Sequence, residues 1–538
     1  MVRNARKPRN LLLSLIGLVL LVGMVTVAIL SLLGPVVGNV FSSTVSGGCL
    51  NCGLAVSPGT SYAYTPGDGN VPSYGGTVPV NDEPYANVFF KRSGVNPFID
   101  TEDDPLSTFA LEVDTGSYTI TRRYLTDGYL PPAEAVRVEE FVNYFDYGEP
   151  APEEGTFAIT LDGGPTPFVQ NERYRVIRIG LQGREVTDEG RKDAVLTFVV
   201  DTSGSMEMEN RLGAVQHALS RLVDTLRPTD QVSIVAFGAQ AWVVLPATPA
   251  SDREAILDAI YSLSPDGSTN AAEGLRLGYQ LASRAYRPEA INRVILCSDG
   301  VANTGLTGAG DILDEIRGYT LEGINLTTVG FGIGNYNDVL MERLADEGNG
   351  IYAYVDTPRE AEKLFVHNLT GMLQTIAMDV KVQVSFDPEI VSRYRLIGYE
   401  NRALRDQDFR LDTVDAGEIG AGHHVTAIYE VKLMEGASGE LAVVTLRWED
   451  PDTGQVAEMT AAIDVEHLAA EFEGTSAAFR LAVLTAEFAE ILRESYWTGE
   501  RTLADLLPWL SLVEEFEDPE VLEFIGLVQR AAALTDTP

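Results

Sequence analysis

The central section of the chain alternates two hydrophobic patterns. Residues 195–200 read Val-Leu-Thr-Phe-Val-Val, an apolar or β-favouring run that predicts a strand buried on both faces of a parallel sheet. Apolar residues then recur at helical spacing over 212–226. The same rhythm predicts further buried strands at 232–237, 294–297 and 324–329. Strands that alternate with helices in this way predict a doubly wound, mostly parallel α/β sheet.

Strand and helix patterns also mark the sequence on both sides of this section. Downstream, alternating apolar residues predict strands at 380–386, 425–431 and 441–448, and helical spacing returns over 475–534. Upstream, the pattern predicts strands at 109–113, 156–161 and 174–181, and helices at 118–125 and 136–144. We therefore expect an N-terminal α+β segment before the sheet and a C-terminal β-rich module with a helical tail after it.

Capping boxes and an acidic run add local detail. Residues 251–254 and 357–360 both have the capping-box pattern, and the second also has proline at the first helical position. The helix that starts there is expected to continue through Met372, because its apolar stripe does. The acidic residues within 338–347 are interpreted as a solvated helix face or a cap.

The amino terminus carries a membrane-targeting pattern. Residues 1–10 contain basic and no acidic side chains, and residues 11–33 are apolar apart from two serines and one threonine. Such a run can span about 30 Å of hydrocarbon, and residues 34–38 make a poor signal-cleavage site. We expect a retained single-pass anchor, with the bulk of the chain outside the cytoplasm. Cleaved secretion is the alternative.

These patterns divide the 538 residues into six segments. The stretch from 42 to 97 is rich in Ser, Gly, Pro and Asn, a composition that predicts a flexible stalk. The expected segments are a basic cytoplasmic segment (1–10), a transmembrane anchor (11–33), the stalk (34–97), an N-terminal flanking domain (98–191), the doubly wound domain (192–376) and a C-terminal β-rich and helical region (377–538).

Charge and cysteine content narrow the choice of partner and compartment. The chain has 39 Lys and Arg against 78 Asp and Glu, a net charge of -39. It would repel phosphate backbones, so no nucleic-acid partner is expected. Cys297 lies in a buried strand pattern and is expected to be a core thiol. Cys49 and Cys52 form a CxxC pair, for which a local disulfide, metal or redox work, and lipidation of Cys49 are open alternatives.

The loop after the strand at 195–200 carries the candidate chemistry. It reads Asp201-Thr202-Ser203-Gly204-Ser205, and ligands in open α/β sheets bind beyond the carboxyl ends of the strands. Carboxylate and hydroxyl oxygens are hard ligands that suit Mg²⁺ or Mn²⁺. Neutral hydroxyls leave most of the metal charge uncompensated, so the loop predicts a site that can hold a partner's carboxylate. Further ligands are expected on loops that follow other strands of the sheet.

Two later loops complete the pattern. Thr269 lies in a turn before a helix, and Asp299 follows the strand predicted at 294–297. Together with the loop at 201–205, they resemble the metal-ion-dependent adhesion site of von Willebrand factor type A domains, over roughly residues 192–376. The resemblance implies hydroxyl ligands at Ser203, Ser205 and Thr269, and carboxylate ligands, often acting through water, at Asp201 and Asp299.

The flanking sequence carries a second resemblance. The run Asp114-Thr115-Gly116-Ser117-Tyr118 and the stretch 138–145 are similar to YfbK-type bacterial proteins. Those proteins have an N-terminal flanking domain, a central type A domain and a C-terminal region. The resemblance covers about residues 100–538 and implies this architecture and a membrane-associated setting. It implies no particular ligand.

Two other motifs receive structural interpretations. Asp114-Thr115-Gly116 has no second such triplet with which to share a proton, so we interpret it as a turn and not as an aspartic-protease carboxylate. His423 and His424 are neighbours at the start of a strand pattern. Their side chains are expected to point to opposite faces, which makes them poor joint ligands for zinc.

The function expected from the sequence is binding, without enzymatic activity. We expect a membrane-anchored extracytoplasmic protein that binds Mg²⁺ or Mn²⁺ and uses the cation to hold an acidic residue of a partner protein. A metal-independent structural component of an envelope assembly is the alternative. A metal-assisted hydrolase ranks last, because the sequence nominates no general base near the metal. Nothing in the sequence indicates the oligomeric state.

Overall fold

The computed structural model describes the chain from Val88 onward. The described residues are 88–187, 189–299, 316–333, 336–414 and 416–535. The predicted basic segment, the anchor and most of the stalk lie outside them, as do Cys49 and Cys52. Within the described part of the chain, no helix combines the length and the apolar composition needed to cross a membrane.

The strands of the described residues form four sheets, one of them a two-stranded pair. In chain order they are β1 (Val88–Phe89), β2 (Ile99–Asp100), β3 (Leu106–Ala110), β4 (Phe157–Gly164), β5 (Tyr174–Gly183), β6 (Ala194–Asp201), β7 (Gln231–Phe237), β8 (Ala241–Pro249), β9 (Ile291–Ser298), β10 (Ile324–Phe331), β11 (Tyr336–Asn337), β12 (Tyr352–Val355), β13 (Thr375–Phe386), β14 (Val391–Ile397), β15 (Gly417–Gly420), β16 (His424–Leu433), β17 (Glu440–Glu449) and β18 (Val456–Asp464).

Helices connect most of these strands. The labelled α-helices are α1 (Gly116–Thr126), α2 (Val138–Val142), α3 (Arg211–Thr225), α4 (Arg253–Ser262), α5 (Ala271–Ala285), α6 (Asp338–Asp346), α7 (Pro358–Glu362), α8 (Leu369–Leu373), α9 (Ala477–Leu492) and α10 (Pro519–Thr535). Residues 316–321 are also helical.

The central domain is built on a six-stranded sheet with β6 near its middle. The strand order is β12-β10-β9-β6-β7-β8, and neighbours are parallel except that β8 runs antiparallel to β7. All residues of β6 are buried. Leu196 and Phe198 pack in a cluster with α3 and α4, whereas Val199 packs in a cluster with α5 and α6. Helices therefore cover both faces, which confirms the predicted doubly wound α/β fold.

The segments on either side of the central domain fold together. One sheet has the order β2-β14-β16-β5-β4, and the other has β15-β13-β17-β18 with β3 also paired to β13. Ile177 lies opposite Tyr429, and Phe109 lies opposite Val382. All four side chains belong to one buried cluster, as in the core of a two-sheet sandwich. The predicted flanking domain and C-terminal region thus share both sheets, while the predicted segment boundaries stay predictions.

The helical tail packs against the N-terminal flank. Phe141 of α2 lies 6.1 Å from Phe488 of α9 between ring centroids, and Phe145 lies 5.4 Å from Phe524 of α10. Both pairs belong to one large apolar cluster. The helical tail predicted from the sequence is therefore confirmed, and its partner is the flank that begins the described chain.

Two helix predictions differ from the structure in detail. The N-cap of α4 is Asp252, whose side chain accepts from the backbone N–H of Ala255, and not the predicted Ser251. Thr357 caps α7 as predicted, but the regular helix ends at Glu362. Residues 363–367 form a π-helical turn before α8, so the continuous apolar stripe covers three short helical pieces.

Buried ion pairs join the N-terminal flank to the central domain. Asp338 at the start of α6 is fully buried and not a solvated acid, and Arg137 Nη1 donates to it over 2.6 Å. Arg137 also pairs with Glu140, which is fully buried as well. Arg122 of α1 donates to Asp356 over 2.8 Å. Arg137 and Arg122 each have an acidic partner in the central domain, more than 200 positions away. These pairs therefore hold α1 and α2 against the central domain.

Replacing Arg137 by Met should lower the free energy of unfolding by about 3 to 5 kcal/mol, because it leaves Asp338 and Glu140 buried without their cation. Urea denaturation measures this change. The matched control is Arg221→Met, which removes exposed ion pairs with Asp224 and Glu362 and should cost less than about 1 kcal/mol. Equal losses in the two variants would contradict the structural role of the buried pairs.

Candidate metal site

Strands β6 and β9 end side by side at the carboxyl edge of the central sheet. Their parallel register sets Val200 opposite Cys297. Asp201 is the last residue of β6, and Asp299 follows the last residue of β9 directly. Both carboxylates are 0% exposed. The pairing of two central strands therefore places two acidic groups together away from solvent, and the buried thiol of Cys297 agrees with its predicted core position.

Asp201 is held by hydrogen bonds to both of its oxygens. The Ser203 backbone N–H donates to Oδ1 over 2.8 Å, and Ser298 Oγ donates to Oδ2 over 2.7 Å. Burial, and then the nearby charge of Asp299, raise the pKa of Asp201 to about 7. The carboxylate is therefore fixed in orientation and strongly disfavoured in its charged form, a state that an added cation would relieve.

The hydroxyl residues of the same loop lie next to each other. Ser203 Oγ and Ser205 Oγ are 3.0 Å apart, and both serines are buried. Thr202 turns the other way, since its backbone N–H and Oγ1 both donate to the carbonyl of Phe237 at the end of β7. The loop is thus tied to the neighbouring strand through Thr202, which leaves Ser203 and Ser205 beside Asp201.

Thr269 reaches this region from a connection between two helices. Its loop joins α4 to α5, so it does not follow a strand as the sequence pattern suggested for further ligands. The N–H of Gly204 donates to the carbonyl of Gly267, and the N–H of Asp266 donates to that of Thr202. These bonds bring the Thr269 loop against the loop of the two serines, and Thr269 itself is 1% exposed.

Arg211 is a component of the site that the sequence interpretation missed. It is the first residue of α3, it is buried, and its Nη1 donates to Asp299 Oδ2 over 3.0 Å. Gly332, after β10, leaves room for the side chain, because an added Cβ there would overlap Arg211 Nε. A cation in the first turn of a helix opposes the helix dipole, and this is the sequence signal that could have found it.

The donor set fits a hard divalent cation. The predicted ligands come from three loops, and the structure brings these loops together at the carboxyl edge of the sheet. Two carboxylates and three hydroxyls are the oxygen donors that Mg²⁺ and Mn²⁺ prefer. The charges of Asp201, Asp299 and Arg211 sum to one negative charge in a region shielded from water, where a cation would be stabilised.

A cavity of about 900 Å³ lies elsewhere, between the sandwich and the last helices of the central domain. Its lining includes Lys363, His423 and His424, and none of the five predicted ligands. Lys363 Nζ is already engaged with Glu520 Oε2 at 2.8 Å. Burial lowers the pKa of His423 to about 4, with the charges of His424 and Arg293 acting in the same direction. The lining thus combines paired charges with a neutral imidazole.

A second group of carboxylates has a structural explanation. Oxygens of Glu112, Asp114 and Asp346 lie within 4.8 Å of one another. Arg402 donates to Glu112 over 2.6 Å and to Asp346 over 2.9 Å. Asp114 accepts from the N–H of Tyr352, and burial followed by the charge of Glu112 raises its pKa well above its usual range. The group therefore joins the sandwich to the central domain.

Comparisons with known proteins agree with the fold of the central domain. The model of the von Willebrand factor type A domain matches residues 196–367, and a von Willebrand factor model matches residues 84–177. Fold and match together define a type A domain protein. The C-terminal model of YfbK matches 371–439 and 433–534. The chain is 35% identical over 472 residues to Uncharacterized protein YfbK of Escherichia coli (strain K12), covering 82% of this chain and 80% of that relative. The chain belongs to the YfbK family.

Other matches are more distant. Inter-alpha-trypsin inhibitor heavy chain H4 of Bos taurus is 26% identical over 34% of this chain and 21% of that relative. A solved von Willebrand factor type A structure from Catenulispora acidiphila covers 72% of this chain and 99% of its own, with a TM-score of 0.43 and 16% identity. Similarity at this level carries no argument about what the chain binds.

Replacing Gly332 by Ala should lower the free energy of unfolding by about 1 to 3 kcal/mol, because φ is +77° and the methyl group would meet Arg211. Urea denaturation measures the change. The control is Gly318→Ala within the helical residues 316–321, where an added Cβ has no described neighbour within 4 Å beyond its adjacent residues and the backbone of its own helix. That variant should be neutral or more stable by up to about 1 kcal/mol. Equal stabilities would argue against the packing of Gly332 on Arg211.

The pKa of His423 predicts a pH dependence of stability. Its folded pKa of about 4 lies below the ordinary value near 6.5, so the unfolded chain takes up the proton first as pH falls. The contribution of His423 is complete above pH 6.5, and about 2 to 3 kcal/mol of it is lost by pH 4. Urea denaturation at both pH values should show a smaller loss in His423→Gln than in wild type. His217→Gln changes an exposed imidazole and should retain the wild-type loss; equal losses in all three proteins would refute this assignment.

Proposed function

We propose that the chain is anchored in the cell membrane through residues 11–33, with its bulk outside the cytoplasm. There it binds Mg²⁺ or Mn²⁺ and uses the cation to hold an acidic residue of a partner protein. The type A match by itself indicates a class of proteins that act in adhesion or protein–protein interaction. The proposed ligands are Asp201, Ser203, Ser205, Thr269 and Asp299.

One observation carries the proposal. Asp201 and Asp299 lie together without solvent exposure. The hydroxyls of Ser203 and Ser205, in the loop that begins at Asp201, lie beside them. Burying two like charges is unfavourable unless positive charge compensates them. Arg211 supplies one positive charge through Asp299. A divalent cation at the oxygens would supply the rest and explains why both carboxylates occur here.

The residues of the chain prepare the site before any partner arrives. The N–H of Ser203 and the hydroxyl of Ser298 orient Asp201, and Arg211 orients Asp299. When bound, a divalent cation supplies the positive charge that attracts a carboxylate. Because the ligands are held in place beforehand, little side-chain freedom is lost when the partner binds. The surrounding surface then decides which carboxylate is accepted.

The same site supports binding in preference to catalysis. Ser298 and Arg211, which hydrogen-bond the two carboxylates, are a neutral hydroxyl and a permanently protonated guanidinium. Neither serves as a general base at neutral pH. Ser203 has a second hydroxyl as its neighbour and not an imidazole, so the arrangement differs from that of a hydrolytic nucleophile. We therefore propose a protein without enzymatic activity.

Metal binding can be tested on the full-length chain in detergent by calorimetric titration with Mn²⁺. Asp201→Ala and Ser203→Ala should each weaken binding by at least about tenfold, because each removes a ligand. Thr202→Val is the matched control. It changes a buried residue of the same loop whose hydroxyl points to Phe237, so it should bind Mn²⁺ like wild type. Undiminished binding by Asp201→Ala would contradict the proposed ligand set.

The partner is tested by affinity enrichment from an envelope extract, with Mg²⁺ or with a chelator. A protein that wild type and Thr202→Val retain only with Mg²⁺, and that Asp201→Ala does not retain, would support metal-dependent recognition. Equal retention under all conditions would favour a metal-independent structural component of an envelope assembly. Circular dichroism must show that Asp201→Ala is folded for the comparison to count.

A further inference from the structure

Arg211 stands closer to the proposed ligands than its place in the sequence suggests. It begins α3, immediately after a short 3₁₀ segment that starts at Gly204 and includes Ser205. Its side chain is 3% exposed, and its Nη1 lies 3.0 Å from Asp299 Oδ2. A full positive charge is thus fixed in direct contact with one of the two carboxylates that the proposed function assigns to the metal.

The position of Arg211 depends on three locally unfavourable features. Glu209 and Asn210, the residues just before it, have φ angles of 51° and 58°, in the left-handed region that non-glycine residues rarely adopt. The first turn of a helix repels a positive charge. Gly332 must lack a side chain for Arg211 to fit. All three unfavourable features serve to place the Arg211 side chain beside Asp299. Such locally unfavourable structure occurs mainly at functional sites, so we expect this placement to matter for function.

We propose that Arg211 is the built-in positive charge that makes the metal site selective for an anion. The inference rests on the proposed function. Asp201 and Asp299 together carry two negative charges, which a divalent cation would neutralise. With Arg211 the loaded site keeps one positive charge, which matches the single negative charge of a partner carboxylate. Arg211 thereby weakens the hold on the cation and strengthens the hold on the partner.

A purely structural role makes the opposite prediction. If Arg211 only positions Asp299, then removing it frees that carboxylate, and the affinity for the cation falls. If Arg211 acts through its charge, then removing it abolishes the repulsion between the guanidinium and the cation. Within a site shielded from water this repulsion is strong. The affinity for the cation then rises, so the direction of change separates the two roles.

The matched variants are Arg211→Gln and Arg221→Gln. Both remove one positive charge from α3, but Arg221 lies ten residues further, about 15 Å along the helix, and its side chain is 42% exposed. Arg211→Lys keeps the charge at the site. Arg211→Met is a second neutral variant for the case that Arg211→Gln does not fold, which near-ultraviolet circular dichroism would reveal.

The experiment titrates Mn²⁺ into the full-length chain in detergent and follows free Mn²⁺ by electron paramagnetic resonance. Arg211→Gln should bind Mn²⁺ at least about tenfold more tightly than wild type, because a unit charge a few ångströms away is gone. Arg211→Lys and Arg221→Gln should stay within about threefold of wild type, because one keeps the charge and the other loses it far away. Unchanged or weaker binding by Arg211→Gln, or equal tightening in Arg221→Gln, would overturn the inference.

A second titration adds acetate, as the simplest carboxylate probe, to the Mn²⁺-loaded proteins and follows water-proton relaxation. Arg211→Gln should bind acetate at least about threefold more weakly than wild type, because the loaded site has lost its net charge. Equal acetate binding would overturn anion selectivity.

The two proposals fail in different ways. If wild type binds no Mn²⁺ but Arg211→Gln does, then Arg211 controls the site while the proposed function of the native chain fails. If wild type binds Mn²⁺ and Arg211→Gln binds no more tightly, then the proposed function stands and the inference about Arg211 fails. If neither protein binds Mn²⁺, both proposals fail.

Discussion

The parallel pairing of β6 with β9 is the constraint on which the candidate site depends. It sets Asp201 beside the end of β9, where Asp299 follows, and both carboxylates are inaccessible to water. Burial and the nearby charge of Asp299 raise the pKa of Asp201 to about 7, because two like charges in a region without solvent are unfavourable. The arrangement persists because β6 is buried along its whole length, and its neighbours β7 and β9 are buried beyond their first residues. The site is therefore a local instability supported by a stable sheet.

The edge of the same sheet is covered by the N-terminal flank. β12 is the terminal strand, and an uncovered edge would invite pairing with another chain. Asp114 accepts from the N–H of Tyr352 at the start of β12, and Thr119 Oγ1 donates to the carbonyl of Tyr354. Near the other end of α1, Arg123 pairs with Glu209, two residues before Arg211. One helix thus braces the edge strand and reaches the segment that positions the charged centre of the site.

Sequence patterns predicted the strands, helices and loops that short contiguous segments determine. They missed the strand pairings and ion pairs that form between residues far apart in the sequence. The strand at 195–200 and the loop after it are contiguous, so their fold and chemistry could be predicted together. The pairing of β3 with β13 could not, because a period of two assigns faces and not partners. Asp338 was interpreted as part of a solvated helix face or a cap, because its cation, Arg137, lies 201 positions away. Arg211 was missed because its partner, Asp299, lies 88 positions away; a cation in the first turn of a helix is an unusual choice, but it names no partner.

The way the central domain is attached gives the site its orientation. Lys192, just before β6, donates its N–H to Gln374 Oε1, just after α8, so the chain enters and leaves the domain at one place. That place is at the amino edge of the sheet, since β6 starts two residues later. The proposed ligands lie at the carboxyl edge, and the eight residues of β6 separate the two edges by about 26 Å. A partner held by the proposed ligands would therefore meet the central domain at the end opposite its chain connections to the sandwich. Its binding need not disturb the sheets that hold the domain in place.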